Sequence, residues 1–409
     1  MNRVSTGFLQ SFEVCLLFCH LVSFYDRTKD IGVVLQHYCT VILGKSFHLY
    51  SVFGAAMRKK TASIFASLTT LVMMATACAP SSTTTPEAGS ASPAAAEKQT
   101  VGLVLDTGGE NDKSFNEYTL KGAKDGAEKA SLDFSYVTST ASSDYEKNIE
   151  TQISEGADLV VTVGFLMGDA TAAMAKKYPD VKFVIIDYAF APGDDGVDPY
   201  TTNLKNVTSL MFAEDQAGYL AGVLAGCVTT SGKVATVSGM EIPPVVKFVT
   251  GFQSGAKSAR PDVVTLNQYI PDFNDPATGK SVGQSFIGQG ADVIFAVGGN
   301  TGNGGLLAAK EAGKMAIGVD VDQYFTYPEV KEALLTSAVK NMDVATATAI
   351  AEFAAGQLKP GVELATIETG GVGLAPFHDA EATISSACKE QVKAAEAALK
   401  ADPSITGVK

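Results

Sequence analysis

Short apolar runs alternate with segments of helical periodicity from residue 100 onward. The first apolar runs are rich in β-branched residues and almost continuously apolar, and they lie at 101–106, 133–137, 159–164 and 183–187. Strands that are buried on both faces have this composition. The segments between them have the apolar spacing of helices and lie at 113–130, 144–155 and 168–177. Asp112 is placed to cap the first helix, and the alternation predicts parallel βαβ units.

A second series with the same alternation follows Asn203. Its predicted strands lie at 233–237, 263–269, 292–297 and 316–320. Its predicted helices lie at 213–224, 251–259, 283–289, 305–311 and 329–336, with one more amphipathic helix at 343–357. Residues 364–374 are expected to close a sheet. Two successive series of similar size predict an α/β fold of two doubly wound parallel-sheet lobes joined by a hinge.

The domain boundaries follow from these two series. We expect lobe 1 to comprise 100–206 plus 341–375, lobe 2 to comprise 207–340, and a C-terminal helix and tail to occupy 376–409. Ligands of doubly wound lobes bind at the carboxyl ends of the strands. The polar and aromatic residues at those ends are therefore the first candidates for function.

The chain upstream of residue 100 has the pattern of an exported protein. Residues 57–78 begin with Met57 and three basic residues, continue with 17 uncharged residues, and end at Cys78. This is the pattern of a signal peptide, and it is short for a transmembrane helix. The small residues before Cys78 resemble the lipobox of bacterial lipoproteins, although Ala75 stands where that motif usually has Leu. The resemblance implies cleavage before Cys78 and a lipid on its sulfur, whereas an ordinary signal peptide with an incidental Cys is the alternative.

The segments on either side of this signal fit an anchored protein. Residues 79–99 form a predicted flexible tether, because 17 of the 19 residues from 79 to 97 are Ala, Pro, Ser, Thr or Gly. Residues 1–56 precede a complete signal, so we expect translation to begin at Met57, and a genuine extension with a membrane-associated role is the alternative. The predicted location is the extracytoplasmic face of the cell membrane, with a periplasm and a cell surface both open.

Charge and cysteine usage exclude several partners. With 31 Lys and Arg against 44 Asp and Glu, the chain has a net charge of −13 and no basic cluster, which argues against nucleic acid as a partner. The six Cys form no CxxC pair, so no metal site is predicted. Cys227 and Cys388 are expected to be buried free thiols rather than a disulfide, with both states left open.

Enzymatic motifs are missing from the sequence. It contains no GxSxG or HExxH motif, and three of its four His lie within residues 1–56, which leaves His378. The glycine-rich segment 298–305 lacks the Lys of a phosphate-binding loop and predicts a tight turn whose backbone approaches a ligand. We therefore predict a protein that is not an enzyme and has no cofactor. A hydrolase that uses Asp106 and Asp187 as paired carboxylates is the alternative.

Several motifs at the predicted strand ends resemble one known family. The segment 105–116 (LDTGGENDKSFN) is similar to the opening signature of the basic membrane protein family, the nucleoside-binding lipoproteins of bacterial ABC importers. Further matches follow in order at 163–165, 186–187, 214–222, 251–252, 318–323 and 337–340. The resemblance extends over about 100–375. It implies the type I periplasmic binding protein fold, with two lobes hinged around a cleft.

The resemblance also implies a ligand and partners. The expected ligand is a nucleoside, with purine nucleosides favoured, and the expected partners are the permease subunits of an ABC transporter and a membrane reached through the lipid anchor. A nucleoside-sensing receptor of the same fold is the alternative function, and a nucleoside-cleaving enzyme is a less favoured one.

The resemblance assigns two aromatic residues to the nucleobase. Phe115 and Phe273 would lie on its opposite faces, where stacking contributes roughly 1–3 kcal/mol per base. Phe273 is preferred to Phe252 because it lies just beyond a predicted strand, within Asp272-Phe273-Asn274-Asp275.

The resemblance assigns the polar edge of the ligand to charged residues. Asp106 and Asp187 would accept hydrogen bonds from the base edge or the sugar, and Asp320 and Lys340 would hold the ribose hydroxyls. A carboxylate can accept hydrogen bonds from two vicinal hydroxyls. Two further positions, Thr107 and Asn300, complete the predicted ligand-binding set. Thr107 stands where relatives often have Asn.

Overall fold

The computed structural model describes residues 98–190 and 204–408. The predictions for residues 1–56, for the signal peptide at 57–78, for lipidation of Cys78 and for most of the tether at 79–99 lie outside the described residues. Within the described part, no helix has both the length and the apolar character needed to span a bilayer.

Twelve strands and ten helices are described. The strands are β1 Thr100–Leu105, β2 Asp133–Thr138, β3 Leu159–Val163, β4 Lys182–Ile186, β5 Val207–Phe212, β6 Lys233–Ser238, β7 Val264–Tyr269, β8 Val293–Val297, β9 Met315–Asp320, β10 Leu334–Lys340, β11 Gly361–Ala365 and β12 Val372–Leu374. The helices are α1 Phe115–Ala130, α2 Tyr145–Ser154, α3 Gly168–Lys177, α4 Glu214–Val228, α5 Pro243–Ala259, α6 Pro276–Gly288, α7 Gly299–Glu311, α8 Gln323–Thr326, α9 Met342–Ala354 and α10 Ser386–Ala401.

The strands form two six-stranded sheets with matching strand order. The first sheet is ordered β11-β5-β4-β3-β1-β2, and the second β12-β10-β9-β8-β6-β7. All neighbouring strands are parallel except β10 and β12, which are antiparallel. The two-lobed, doubly wound architecture is therefore confirmed. Since all the strands except β12 run in one direction within their sheet, their carboxyl ends meet at one edge, and that edge is where a ligand site is expected.

Two strands lie in a different lobe from the one predicted. The predicted boundary after residue 206 assigns β5 to lobe 2, but β5 pairs with β4 of the first sheet, with Leu210 opposite Ile186. Conversely, β12 lies within the predicted lobe 1 segment but pairs with β10 of the second sheet. Each sheet therefore includes one strand from chain that the predicted boundaries assign to the other lobe.

The helix predicted at 329–336 is wrong. A short 3-10 turn, Pro328–Val330, is followed by strand β10, and the first five residues of β10 are all buried. The run Leu-Leu-Thr-Ser-Ala-Val has too little helical periodicity to place one face outward, and burial on both sides of the sheet selects the extended form.

The chain passes between the lobes three times. It crosses at 212–214, where β5 leads into α4, at 340–342, where β10 leads into α9, and between β11 and β12. Helix α9 packs on α1 of the first lobe, and α4 packs on α5 of the second. The first consecutive series of strands and helices in lobe 1 therefore ends at β5. The three crossings together form the hinge region.

Close helix packing explains the small residues of the 214–222 motif. A Cβ atom placed on Gly222 of α4 would lie 2.0 Å from the carbonyl oxygen of Phe252 in α5. No larger residue fits there without moving a backbone, so α4 and α5 pack at backbone distance. Phe252 itself is fully buried and packs on Phe295 of β8, with 5.0 Å between ring centroids.

Cys227 and Cys388 form a disulfide, so the preference for free thiols is wrong. The two residues lie near the end of α4 and the start of α10, with 5.7 Å between their Cα atoms. Helix α10 packs along α4, and this places cysteines 161 positions apart within bonding distance. The spacing along the sequence carries no sign of that approach.

Candidate ligand-binding site

A cavity lies between the two lobes at the carboxyl ends of their strands. It contains about 610 Å³ of space not filled by protein atoms, part of which is open to solvent. Its lining comprises charged, aromatic and small residues from both lobes: Asp106, Gly108, Asp112, Phe115, Asn116, Gly164, Phe165, Leu166, Asp187, Ile242, Pro244, Val245, Phe248, Phe273, Val297, Gly298, Gly299, Asp320 and Lys340.

Each lobe contributes one of the predicted aromatic rings. Phe115 is the first residue of α1, and Phe273 lies in the loop between β7 and α6. A Cβ atom on Gly239 would lie 2.5 Å from the Phe273 ring, so the absence of a side chain after β6 makes room for that ring. Phe252 belongs to the core, and Phe273 rather than Phe252 lines the cavity.

Asp106 lies at the carboxyl end of β1 and is nearly buried. Its Oδ1 accepts hydrogen bonds from the Gly108 amide at 2.8 Å and from Asn116 Nδ2 at 2.7 Å. Burial raises the pKa of this carboxyl, while the two hydrogen bonds act in the opposite direction. These two hydrogen bonds fix Oδ1 of the carboxylate at the cavity wall. Neither donor bonds the other oxygen, Oδ2.

Asp112 organises the start of α1. Its carboxylate accepts hydrogen bonds from the amides of Ser114, Asn116 and Glu117 at 3.0, 2.9 and 3.1 Å. The residue therefore does receive the free amides of the first turn, as a cap does. Burial raises the pKa of its carboxyl to about 7 in spite of these bonds.

Asp320 connects the second lobe to the first. Its Oδ2 accepts a hydrogen bond from Ser114 Oγ at 2.7 Å. Burial raises the pKa of the Asp320 carboxyl, opposed by the charge of Lys340 and the Ser114 bond. The carboxylate thus lies at the end of β9 and also touches the loop that follows β1.

Lys340 is the cation of the cavity. Its buried ammonium contacts Asp187 Oδ2 of lobe 1, and it lies 3.2 Å from Glu214 Oε1. It is also 5.1 Å from the centroid of the Phe115 ring. Burial alone would lower the pKa of Lys340, but the charges of Asp187, Glu214 and Asp320 raise it above its ordinary value.

The loop after β1 joins the lobes by further hydrogen bonds. The carbonyl of Lys113 accepts one from Thr326 Oγ1 at 2.7 Å, and the carbonyl of Asp112 accepts one from Asn303 Nδ2 at 3.0 Å. Together with the Ser114–Asp320 bond they hold the two lobes in contact across the cavity mouth. The structure is therefore that of closed lobes.

The predicted residues divide into two groups by position. Those that the fold brings together around the cavity are Asp106, Phe115, Asp187, Phe273, Asp320 and Lys340. Thr107 and Asn300 do not belong to the lining; Asn300 Nδ2 instead donates to Asn274 Oδ1 at 2.9 Å. His378 is also remote from the lining and pairs with Asp322, with 2.7 Å between Nε2 and Oδ2.

Sequence reasoning missed a set of lining residues just beyond the strand ends. Asn116 and Phe165 lie within motifs that were recognised, and Phe248 lies in the first turns of α5. Phe165 directly follows a strand end without having been assigned a role, and extending the strand-end rule into the first two turns of each following helix would also have found Asn116 and Phe248. Among the described residues, no group of His, Cys, Asp or Glu is arranged to hold a metal ion.

Two doubly wound lobes closed over a polar and aromatic cavity define a binding protein of the type I periplasmic fold. A solved structure of an ABC transporter solute-binding protein from Aeropyrum pernix K1 has the same architecture, with a TM-score of 0.67 at 26% identity over 75% of this chain and 92% of its own. Residues 98–402 match the Bmp family, described as ABC transporter substrate-binding protein PnrA-like. The chain belongs to this family.

Two relatives illustrate the family. An ABC transporter nucleoside-binding protein from Lactococcus lactis subsp. cremoris is 33% identical over 297 residues, which cover 66% of this chain and 80% of its own. A CD4+ T-cell-stimulating antigen from Listeria monocytogenes is 31% identical over 299 residues, which cover 68% of this chain and 81% of its own. The expected membership in the basic membrane protein family is thereby confirmed.

Proposed function

We propose that this chain captures nucleosides, purine nucleosides foremost, in the interlobe cavity and delivers them to an ABC importer. The observation that carries the proposal is the meeting of one aromatic ring from each lobe with buried carboxylates in a single cavity of about 610 Å³. Aromatic plates suit the two faces of a base, and carboxylates suit its N–H groups and the ribose hydroxyls. The name of the Lactococcus relative supports the same ligand class.

Unpaired acceptors in the cavity support a ligand rich in donors. Asp187 Oδ1 and Asn116 Oδ1 are buried and have no hydrogen-bond partner among the described residues. Buried polar atoms are nearly always hydrogen-bonded in native proteins, so unpaired ones mark places where a further molecule belongs. Ribose hydroxyls and base N–H groups would supply the missing donors.

The charge of the cavity favours a neutral nucleoside over its phosphates. Asp106, Asp112, Asp187 and Asp320 line the cavity, and Lys340 is its one lining cation among the described residues. That ammonium already contacts Asp187 and lies near Glu214. A phosphate would therefore enter a negative environment without a free cation to meet it.

Delivery follows from closure of the lobes. Ligand contacts to both lobes would shift the population of the protein toward the closed form, which then docks on the permease subunits. We further propose that a lipid on Cys78 anchors the chain at the extracytoplasmic membrane face, on the pattern of residues 57–78. The chain performs no catalytic step in this scheme.

The test is calorimetry on the purified body of the protein, residues 98–408, against a matched ligand panel. Adenosine, guanosine, inosine, cytidine and uridine are compared with the free bases, ribose and AMP. The proposal is supported if ribonucleosides bind much more tightly than the free bases and AMP. A preference for purine over pyrimidine nucleosides supports the assignment of purine nucleosides as the main ligands. A flat response to every nucleoside refutes it, and release of free base during the titration would indicate the hydrolase instead.

A further inference from the structure

Glu214 is a buried acid that lies outside the cavity lining. It is the first residue of α4, directly after the crossing from β5, and none of its surface is exposed. Neither of its carboxylate oxygens accepts a hydrogen bond from another described residue. A buried carboxylate without hydrogen bonds is costly unless a charge compensates it, so its neighbours decide its role.

Two ammonium groups provide that compensation. Glu214 Oε1 lies 3.2 Å from Lys340 Nζ, and Glu214 Oε2 lies 3.5 Å from Lys247 Nζ on α5. Lys340 is almost fully buried, whereas the Lys247 side chain is 31% exposed. The negative charge of Glu214, which does not itself line the cavity, therefore attracts the Lys340 ammonium. Lys247 is the partly exposed second ammonium beside Glu214.

The position of the pair couples it to the hinge. Lys340 is the last residue of β10 and Glu214 the first of α4, so each adjoins one crossing between the lobes. An ammonium has three donors. Asp187 takes one of them and Glu214 attracts the group from a second direction. Both contacts restrain the ammonium at the cavity wall, where its remaining donor can meet a ligand oxygen.

We infer that Glu214 is a positioning residue for ligand capture: its negative charge holds Lys340 in place, and protonation of Glu214 weakens binding. This inference rests on the proposed function, because it requires a ligand oxygen that Lys340 contacts. The charged groups that face Glu214 from the elements packed against it are Lys340 on β10, Asp187 after β4 and Lys247 on α5.

The expected pH range follows from the surroundings of the carboxyl. Burial raises the pKa of Glu214 to about 7, with the charge of Asp187 adding to the rise and Lys340 and Lys247 opposing it. Above this pH the carboxylate is charged and Lys340 is held. Below it the carboxyl is neutral and the restraint is lost, so ligand affinity decreases as the pH falls through about 7.

The experiment measures the dissociation constant of the best-bound nucleoside from about pH 5.5 to about pH 8.5. For the native chain we expect binding to weaken by about tenfold on acidification. Glu214→Gln should bind about as weakly as the native chain at low pH and should lose most of the tenfold change, while any remaining dependence belongs to Asp112, which also lines the cavity and has a pKa of about 7. Lys247→Gln removes a charge that lowers the pKa of Glu214, so its profile should keep its shape and move to higher pH.

These outcomes separate the inference from the function on which it rests. If the native chain binds no nucleoside at any pH, the proposed function fails. If it binds but Glu214→Gln keeps the native pH profile, or Lys247→Gln leaves the midpoint in place, the inference is overturned and another acid is responsible. Lys247→Gln alters a partly exposed side chain, so it retains the test should Glu214→Gln fail to fold.

Discussion

Asp187 and Asp320 occupy equivalent places in the two lobes and share an unusual backbone conformation. Asp187 follows β4 with φ 65°, and Asp320 ends β9 with φ 67°. A residue other than Gly in this left-handed region is strained by about 1–2 kcal/mol. Both side chains line the cavity. Because backbone strain of this kind clusters at functional sites, we propose that these two carboxylates are placed for binding rather than for packing.

The stacking role of Phe115 is tested by Phe115→Ala. Loss of one stacked ring should weaken nucleoside binding by roughly 10- to 100-fold, because each stacked base contributes about 1–3 kcal/mol. Calorimetry with one ribonucleoside measures the change. Phe325→Ala is the matched control, since Phe325 is 66% exposed and does not line the cavity. An unchanged dissociation constant in Phe115→Ala would remove this ring from the site.

The sugar contact of Asp320 is tested by comparing ligands. Asp320→Ala should weaken binding of ribonucleosides more than binding of the corresponding free bases, by about tenfold or more, because charge-assisted hydrogen bonds to hydroxyls contribute roughly 1.5–3 kcal/mol. The measurement is the ratio of the two dissociation constants in native and variant protein. Equal losses for nucleoside and base would contradict the ribose assignment.

The disulfide is tested by reduction and by substitution. The free energy of unfolding of the double variant Cys227→Ser, Cys388→Ser should be lower by about 2–4 kcal/mol, the usual effect of removing a bridge that closes a long loop. Denaturant unfolding measures this difference. A thiol reductant should destabilise the native protein to the level of the double variant and leave the variant itself unchanged. Reductant sensitivity of the variant would point to another cause.

The burial of Asp112 predicts a pH dependence of stability. Its pKa is about 7 in the folded protein against an ordinary value of 3.8, so its contribution is present below about pH 4 and is lost as the pH rises through 7. At about 1.4 kcal/mol per pH unit the upper limit is about 4 kcal/mol. When the pH is raised from about 5 to about 8, the unfolding free energy of Asp112→Asn should therefore decrease by less than that of the native protein.

Thermal and denaturant unfolding at both pH values measure that difference. Asp180→Asn is the control, because Asp180 is an exposed acid away from the cavity. If Asp112→Asn and the native protein lose the same unfolding free energy, the Asp112 carboxyl does not titrate in this range. Asp180→Asn should lose as much unfolding free energy as the native protein.

The anchor is tested by Cys78→Ser in cells. The native protein should partition into detergent and sediment with membranes, whereas the variant should appear in the soluble extracytoplasmic fraction, because only Cys78 offers a sulfur for lipidation at the end of the signal. Equal membrane association of both would exclude the lipid as the anchor.

The fold and most of the candidate site could be predicted from the sequence, and the exceptions share one cause. The alternating runs gave the two lobes, and the strand-end rule together with family motifs led to Asp106, Asp187 and Asp320, which line the cavity. Strand β5 was not recognised. The residue after its end, Glu214, was therefore never considered as part of a site, although it touches Lys340.

Contacts between distant segments were beyond reach for a physical reason. The approach of Cys227 to Cys388 depends on how α10 packs along α4, and that packing has no trace in local periodicity. Likewise, Asn300 follows a strand closely, yet its Nδ2 donates to Asn274 Oδ1 and to the Gly108 carbonyl, and the residue does not itself line the cavity. Which way a polar side chain turns is decided by its tertiary neighbours.

The crossings at 212–214 and 340–342 have a consequence for how occupancy is reported. The cation of the cavity, Lys340, and one of the acids beside it, Glu214, adjoin two of the points at which the chain changes lobe, whereas the other acid, Asp187, belongs to lobe 1. Rotation about the hinge therefore displaces Lys340 relative to Asp187. In the proposed delivery scheme, a membrane partner would sense occupancy through the angle between the lobes. That angle is set beside the ammonium that faces the ligand, so no relay of intervening side chains would be needed.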